Sequence, residues 1–142
     1  MRRNLIVLLD VITLYLSIEF LIGMYINVYI NIMPGVADVT EPFLFAHILF
    51  GILLFVFSGF TTAYAYFKKA PKQVTFMIFI GTLLVLITGI FGMLFIFTLQ
   101  PLYTYLMAAF FLFIFAPIGF ATSGVRSLPK RVVEAEKSEE MK

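Results

Sequence analysis

Cysteine and tryptophan are absent from this 142-residue chain, histidine occurs once, and charged residues make up only 13% of it. The absence of cysteine excludes disulfides, thiolate-bound metals and thiol nucleophiles. Charged residues are about a quarter of a typical soluble domain, so a share this low argues against a soluble protein. The formal net charge of +2 is too small to indicate a nucleic-acid partner.

The chain is instead rich in apolar residues: 62% of its residues are hydrophobic, and its mean hydropathy is +1.05. A helix needs about 20 apolar residues to cross the hydrocarbon core of a membrane. Four continuous runs reach that length, and polar residues, proline or glycine separate them. They predict an all-α, integral membrane four-helix bundle with spans at about residues 5–30, 42–67, 74–98 and 102–122.

The basic residues indicate how these spans are oriented. All ten lie before the first span, between the second and third, or after the fourth, whereas Asp38 and Glu41 are the charged residues of the opposite loops. Loops rich in lysine and arginine stay in the cytoplasm, so both termini are expected there, in a multi-pass protein of the plasma membrane. Residues 1–126 form the predicted membrane domain and residues 127–142 a charged cytoplasmic tail. Asp10 interrupts the first apolar run and no small-residue cleavage motif follows, so this run is expected to be retained.

Two carboxyl groups lie within the first span. Asp10 is near its cytoplasmic end, where water or Arg2 and Arg3 are the expected partners. Glu19 is near the middle, where a charged carboxylate is costly, so it should be buried in the bundle and either paired or protonated. A spacing of four residues places a set of polar and small residues on one face of this helix: Tyr15, Glu19, Gly23 and Asn27.

The one histidine, His47, begins a matching stripe on the second span, which continues through Gly51, Ser58 and Thr62. At a rise of about 1.5 Å per residue, His47 lies nearer the level of Asn27 than that of Glu19. Asn27, or a water molecule linked to Glu19, is therefore the expected neighbour of His47. A direct contact between Glu19 and His47 requires the two helices to be staggered.

The third and fourth spans carry features of helix packing. Gly81, Thr88 and Gly92 share a face of the third span, and small residues of this kind let two helices approach closely. Pro117 removes one backbone hydrogen bond from the fourth span and predicts a kink there.

Two stretches resemble known families. Residues 46–54, AHILFGILL, together with the count of four helices, resemble one half of the haem A synthase family, a four-helix unit whose histidines face the bundle interior. Residues 23–29, GMYINVY, and residues 46–51, AHILFG, are similar to small uncharacterised four-helix membrane proteins of archaea and bacteria. The first resemblance implies a haem site near His47, and the second implies the fold without an activity.

Three functions remain open at this level. The first is a non-catalytic, accessory subunit of a larger membrane assembly of the respiratory type, with other membrane subunits or further copies of the chain as partners. The second is a haem- or quinone-binding protein in which His47, Glu19 and Asn27 hold the cofactor. The third is a small oligomeric channel or proton-linked carrier. The sequence shows no nucleotide-binding loop and no catalytic motif, so no catalytic or metal-binding residue is predicted.

Overall fold

A computed structural model describes residues 1–29 and 42–128, without the side chains of residues 27–29. The chain is all-α, and its helices are α1 (Arg2–Tyr29), α2 (Pro42–Phe67), α3 (Lys72–Thr98) and α4 (Pro101–Arg126). All four helices are long and apolar enough to cross a membrane. The helix α2 has the bounds expected for the second span, whereas α1, α3 and α4 extend further into charged sequence. The predicted charged tail lies outside the described residues from position 129 onward.

The helices form a closed ring in which each packs on its neighbours in the sequence and α1 packs on α4. The connection between α3 and α4 consists of Leu99 and Gln100, which is too short for anything but an antiparallel pair. Leu99 ends α3 in the left-handed conformation at φ 55°, and its N–H donates to the carbonyl of Phe95 at 2.7 Å. This tight turn holds α3 and α4 together as the most closely packed pair of the bundle.

The core is built from residues that recur at alternating spacings of three and four along each helix. This alternation is typical of coiled-coil-like packing in four-helix bundles. On α1 it gives Leu5, Leu9, Ile12 and Leu16, which are fully buried. On the other helices the buried positions include Leu54, Ser58, Thr61 and Ala65 of α2, Val74, Ile78, Gly81, Val85 and Thr88 of α3, and Phe111, Ile114, Ile118, Ala121 and Val125 of α4.

The predicted packing face of α3 is confirmed at its contact with α4. A Cβ atom placed on Gly81 would lie 2.8 Å from Cδ1 of Ile118, and one on Gly92 would lie 3.2 Å from Sδ of Met107. Thr88 is buried between them and donates to the carbonyl of Leu84 at 2.8 Å. The helices α3 and α4 therefore approach each other at Gly81 and Gly92. Gly81 lies beside the buried Pro117 of α4.

The expected partners Arg2 and Arg3 of Asp10 were wrong, whereas its expected access to water agrees with a side chain that is 50% exposed. Arg126 Nη2 donates to both carboxylate oxygens of Asp10, at 2.9 Å and 3.2 Å, while Arg2 donates to the main-chain carbonyl of Arg126. The reason is that α4 stays helical as far as Arg126, whose side chain leans towards the start of its own helix and so runs alongside α1. Arg2 lies eight residues, or about 12 Å of helix, away from Asp10.

Candidate functional site

Glu19 of α1 and His47 of α2 meet directly between the two helices. Nδ1 of His47 lies 2.8 Å from Oε1 of Glu19, and the side chains are 21% and 4% exposed, respectively. Glu19 is buried, as expected, and it is the core residue that follows Leu16 in the α1 series. The sequence allows this direct contact only if α1 and α2 are staggered along their axes. The proposed neighbour Asn27 has its side chain outside the described residues.

Two glycines leave the space that the contact between Glu19 and His47 requires. A Cβ atom at Gly51 of α2 would lie 3.6 Å from Oε1 of Glu19, and one at Gly23 of α1 would lie 3.2 Å from Cε1 of His47. Each polar side chain thus lies over a glycine of the opposite helix, and each glycine follows the polar residue of its own helix by four positions. The resulting stagger is about 6 Å along the helix axis, which the two side chains bridge together.

The polar atoms of the pair are not fully satisfied. The ring of His47 is too poorly aligned for a hydrogen bond at Nδ1, so the 2.8 Å contact is close in distance without hydrogen-bond geometry. Within the described part of the chain, Nδ1 of His47 and Oε2 of Glu19 are both buried without a hydrogen-bond partner. Most buried polar atoms in proteins have a partner, and Nδ1 already lies against Oε1 of Glu19, so Oε2 is the atom that can still bind a water molecule or a polar ligand.

Apolar residues enclose the pair above and below. The neighbouring core positions are Leu16 and Ile26 on α1 and Leu44 and Leu54 on α2, all of them buried. Tyr15 lies beside Glu19 on α1, and its ring meets that of Phe50 edge-on at 5.7 Å between the centroids. A low-dielectric enclosure strengthens electrostatic interactions within it and makes an unpaired polar atom costly.

The expected stripe on α2 divides between two neighbours. His47 and Gly51 face α1, whereas Thr62 reaches α3, where its hydroxyl lies 3.0 Å from that of Thr82. Ser58 is buried and donates to the carbonyl of Phe55 at 3.0 Å within its own helix. Thr61 is fully buried and was missed, because the assumed spacing of four drifts away from the true core positions. Only the first turn of the stripe therefore contacts α1, and its later hydroxyl groups bond within α2 or to α3.

A carboxyl group and an imidazole that lie this close can jointly bind a ligand that both donates and accepts hydrogen bonds. No group of three or more histidine, cysteine, aspartate or glutamate side chains suited to a metal ion occurs among residues 1–29 and 42–128. No protein-family model, no curated protein and no solved structure matches the chain. The two family resemblances stay predictions, and the function has to be inferred from the geometry.

The close packing of the His47 imidazole against Gly23 leads to a specific prediction. Gly23→Ala should displace the ring of His47, because the new Cβ would lie 3.2 Å from Cε1, and it should leave the helices intact. Because the chain has one histidine, labelling histidine with ¹³C and ¹⁵N gives a single imidazole spectrum in which the displacement appears as a shift of the Cε1–H signal. The control is Gly59→Ala, since nothing lies within 4 Å of a Cβ atom at Gly59. Equal spectra for the two variants would contradict the packing described here.

Proposed function

We propose that the four helices cross the plasma membrane, with both termini on the cytoplasmic side. Two features support this placement. The outward surface of the bundle is lined by large apolar side chains such as Leu14, Leu21 and Val56, each more than 60% exposed. The described basic residues lie at one end of the bundle, as the positive-inside rule requires: Arg2, Arg3, Lys68, Lys69, Lys72 and Arg126.

The orientation is tested with single cysteines, which the chain allows because it has none of its own. Val36→Cys should react with an impermeant maleimide added to intact cells, since it follows the first span. Lys68→Cys, in the turn after α2, should react only after the membrane is opened. The reverse pattern, or equal reaction of both sites in intact cells, would overturn the four-span arrangement with cytoplasmic termini.

Within the membrane the chain acts as a small, non-catalytic subunit of a larger assembly. The observation that carries this proposal is the open surface around three glycines of the described helices. Gly59, Gly89 and Gly119 have nothing within 4 Å of the position of a Cβ atom. Helices in membranes associate preferentially through small residues, so each of these positions admits the close approach of another helix.

The subunit proposal predicts a stoichiometric partner. The chain, purified from its native membranes in mild detergent, should run with at least one other membrane protein through size exclusion, and mass spectrometry should identify that protein. Leucine introduced at Gly59, Gly89 or Gly119 should release the partner in at least one variant while the helix content by circular dichroism stays the same. A wild-type chain that runs alone would refute the proposal.

A second candidate function is the binding of a quinone at Glu19 and His47, favoured by the buried Oε2 of Glu19, which has no hydrogen-bond partner among the described residues. The carbonyl oxygens of a quinone accept hydrogen bonds, and the hydroxyl groups of the corresponding quinol donate them. A carboxyl and an imidazole can therefore bind both forms. Such a site would place the larger assembly among the respiratory complexes.

Cofactor content separates this candidate from its alternatives. The wild-type chain should carry quinone that solvent extraction removes and chromatography identifies, and Glu19→Gln and His47→Gln should each lower its amount severalfold. A visible haem spectrum that His47→Gln abolishes would replace quinone by haem. Proton flux into liposomes that Glu19→Gln abolishes would favour a proton-linked carrier instead. A wild-type chain without quinone would exclude the quinone candidate.

A further inference from the structure

A groove of about 390 Å³ lies between the start of α1 and the end of α2, away from the Glu19–His47 pair. Six residues line it, four from the first two turns of α1 and two from α2: Arg3, Asn4, Val7, Leu8, Phe60 and Tyr64. Clefts that bind small ligands have volumes of about 300–1,000 Å³. This groove is therefore large enough to hold part of an amphipathic molecule.

Polar and apolar residues are separated along the length of the groove. Arg3 and Asn4 belong to the first turn of α1, and the antiparallel α2 places Tyr64 near its own end beside them. One turn further into the bundle are Val7 and Phe60, which are 54% and 58% exposed, together with Leu8. The groove thus has a polar mouth at the basic end of the bundle and an apolar floor towards its middle.

We propose that this groove binds an anionic phospholipid of the cytoplasmic leaflet, an inference that rests on the proposed membrane orientation. The guanidinium of Arg3 supplies the charge complementary to the phosphate, and no acidic side chain lines the groove. The amide of Asn4 and the hydroxyl of Tyr64 can donate hydrogen bonds to phosphate or glycerol oxygens. Val7, Leu8 and Phe60 offer an apolar surface along which one acyl chain can extend.

The direction of the groove favours a lipid over a free phosphate ion or a soluble nucleotide. Its polar end lies at the level of the membrane surface, and its apolar part runs into the depth of the hydrocarbon core. Basic pockets between helices on the cytoplasmic side of membranes bind acidic headgroups in this way. A phosphate ion would use Arg3, Asn4 and Tyr64 alone and would leave the exposed Val7 and Phe60 without a role.

Native mass spectrometry of the full chain tests the proposal. The detergent-purified chain is incubated with equal amounts of phosphatidylglycerol and phosphatidylcholine, and the lipids that remain bound are counted. The wild type should retain phosphatidylglycerol in preference by about fivefold, the effect expected of one basic residue near a membrane surface. Arg3→Gln should remove the preference, Arg3→Lys should keep part of it, and Phe60→Ala should weaken the retention of both lipids.

The matched control is Lys68→Gln, which removes one positive charge from the same end of the bundle but not from the groove. It should keep the preference of the wild type. Equal losses in Arg3→Gln and Lys68→Gln would overturn the site and leave only a general attraction of the basic end for anionic lipid. Equal retention of the two lipids by the wild type, or retention of inorganic phosphate as strong as that of phosphatidylglycerol, would overturn it as well. A chain that does not sediment with membranes would instead overturn the proposed membrane placement, so the two failures can be told apart.

Discussion

Glu19→Lys should prevent the accumulation of folded protein, whereas Glu19→Gln should fold. The lysine would place a second basic group against His47, in a space where Oε1 of Glu19 already lies 3.6 Å from the Cβ position of Gly51. Leaving a buried polar group without its partner costs about 1–3 kcal/mol of the free energy of unfolding, and a lysine charge among apolar residues adds to that cost. The measurement is the yield of monodisperse protein in mild detergent, together with its midpoint of thermal unfolding.

A charge reversal separates loss of the pair from a general failure of the lysine to insert into the membrane. Combining Glu19→Lys with His47→Glu restores opposite charges between α1 and α2, so the double variant should recover part of the yield. Glu19→Gln keeps the size of the side chain and its ability to contact His47, and should remain close to the wild type. If Glu19→Lys alone accumulates and melts like the wild type, the carboxyl group is not enclosed as described.

Gly81→Val should destabilise the bundle by about 1–3 kcal/mol of the free energy of unfolding, the usual cost of overpacking a filled core. The Cβ of the valine would lie 2.8 Å from Cδ1 and 3.2 Å from Cγ1 of Ile118, which is 1% exposed. Either the buried side chain of Ile118 turns away within the core or α3 and α4 separate against their two-residue connection, and both changes cost packing. Unfolding in a titration with a denaturing detergent, followed by circular dichroism, measures the effect.

Gly89→Val is the matched control on the same helix. It makes the same change in helix propensity, so the difference between the two variants reports packing alone. Nothing lies within 4 Å of a Cβ atom at Gly89, and this variant should unfold at the same detergent concentration as the wild type. Equal destabilisation by the two valines would show that the contact between Gly81 and Ile118 does not limit the approach of α3 and α4.

The number of helices and their approximate limits could be predicted because a long apolar run already specifies a helix of spanning length. The helix ends could not, since hydropathy does not distinguish a charged residue in the last turn of a helix from one in the following loop. Arg126 illustrates the consequence. If Arg126 lies in a loop after the fourth span, no contact is expected for it. As the last residue of α4, Arg126 donates a hydrogen bond to Asp10. The relevant signal is the absence of proline between Pro117 and Pro129, since the glycines in between do not end the helix.

The pairing of Glu19 with His47 was only half predicted. The burial of Glu19 followed from the cost of a charge among apolar residues, and the shared faces followed from helical spacing. The direct contact was expected only with a stagger of the helices. A comparison of the heights of Glu19 and His47 along the helix axes does not include the space between the two helices. Gly23 and Gly51 provide that space. Their identical spacing from Glu19 and His47 was visible in the sequence and marks two helices that are each built to receive the other's side chain.

The core series on α1 and α2 has a consequence for how these helices align. Apolar positions that repeat at three and four residues look alike from one turn to the next, so two such helices can interdigitate in several registers. A polar residue at a core position removes this ambiguity. A shift that set Glu19 opposite Leu54 would put His47 about 10 Å away along the helix axis, and the carboxyl group would be buried without any counterpart. The Glu19–His47 contact thus selects one vertical alignment of α1 against α2 from several that the apolar residues alone would tolerate.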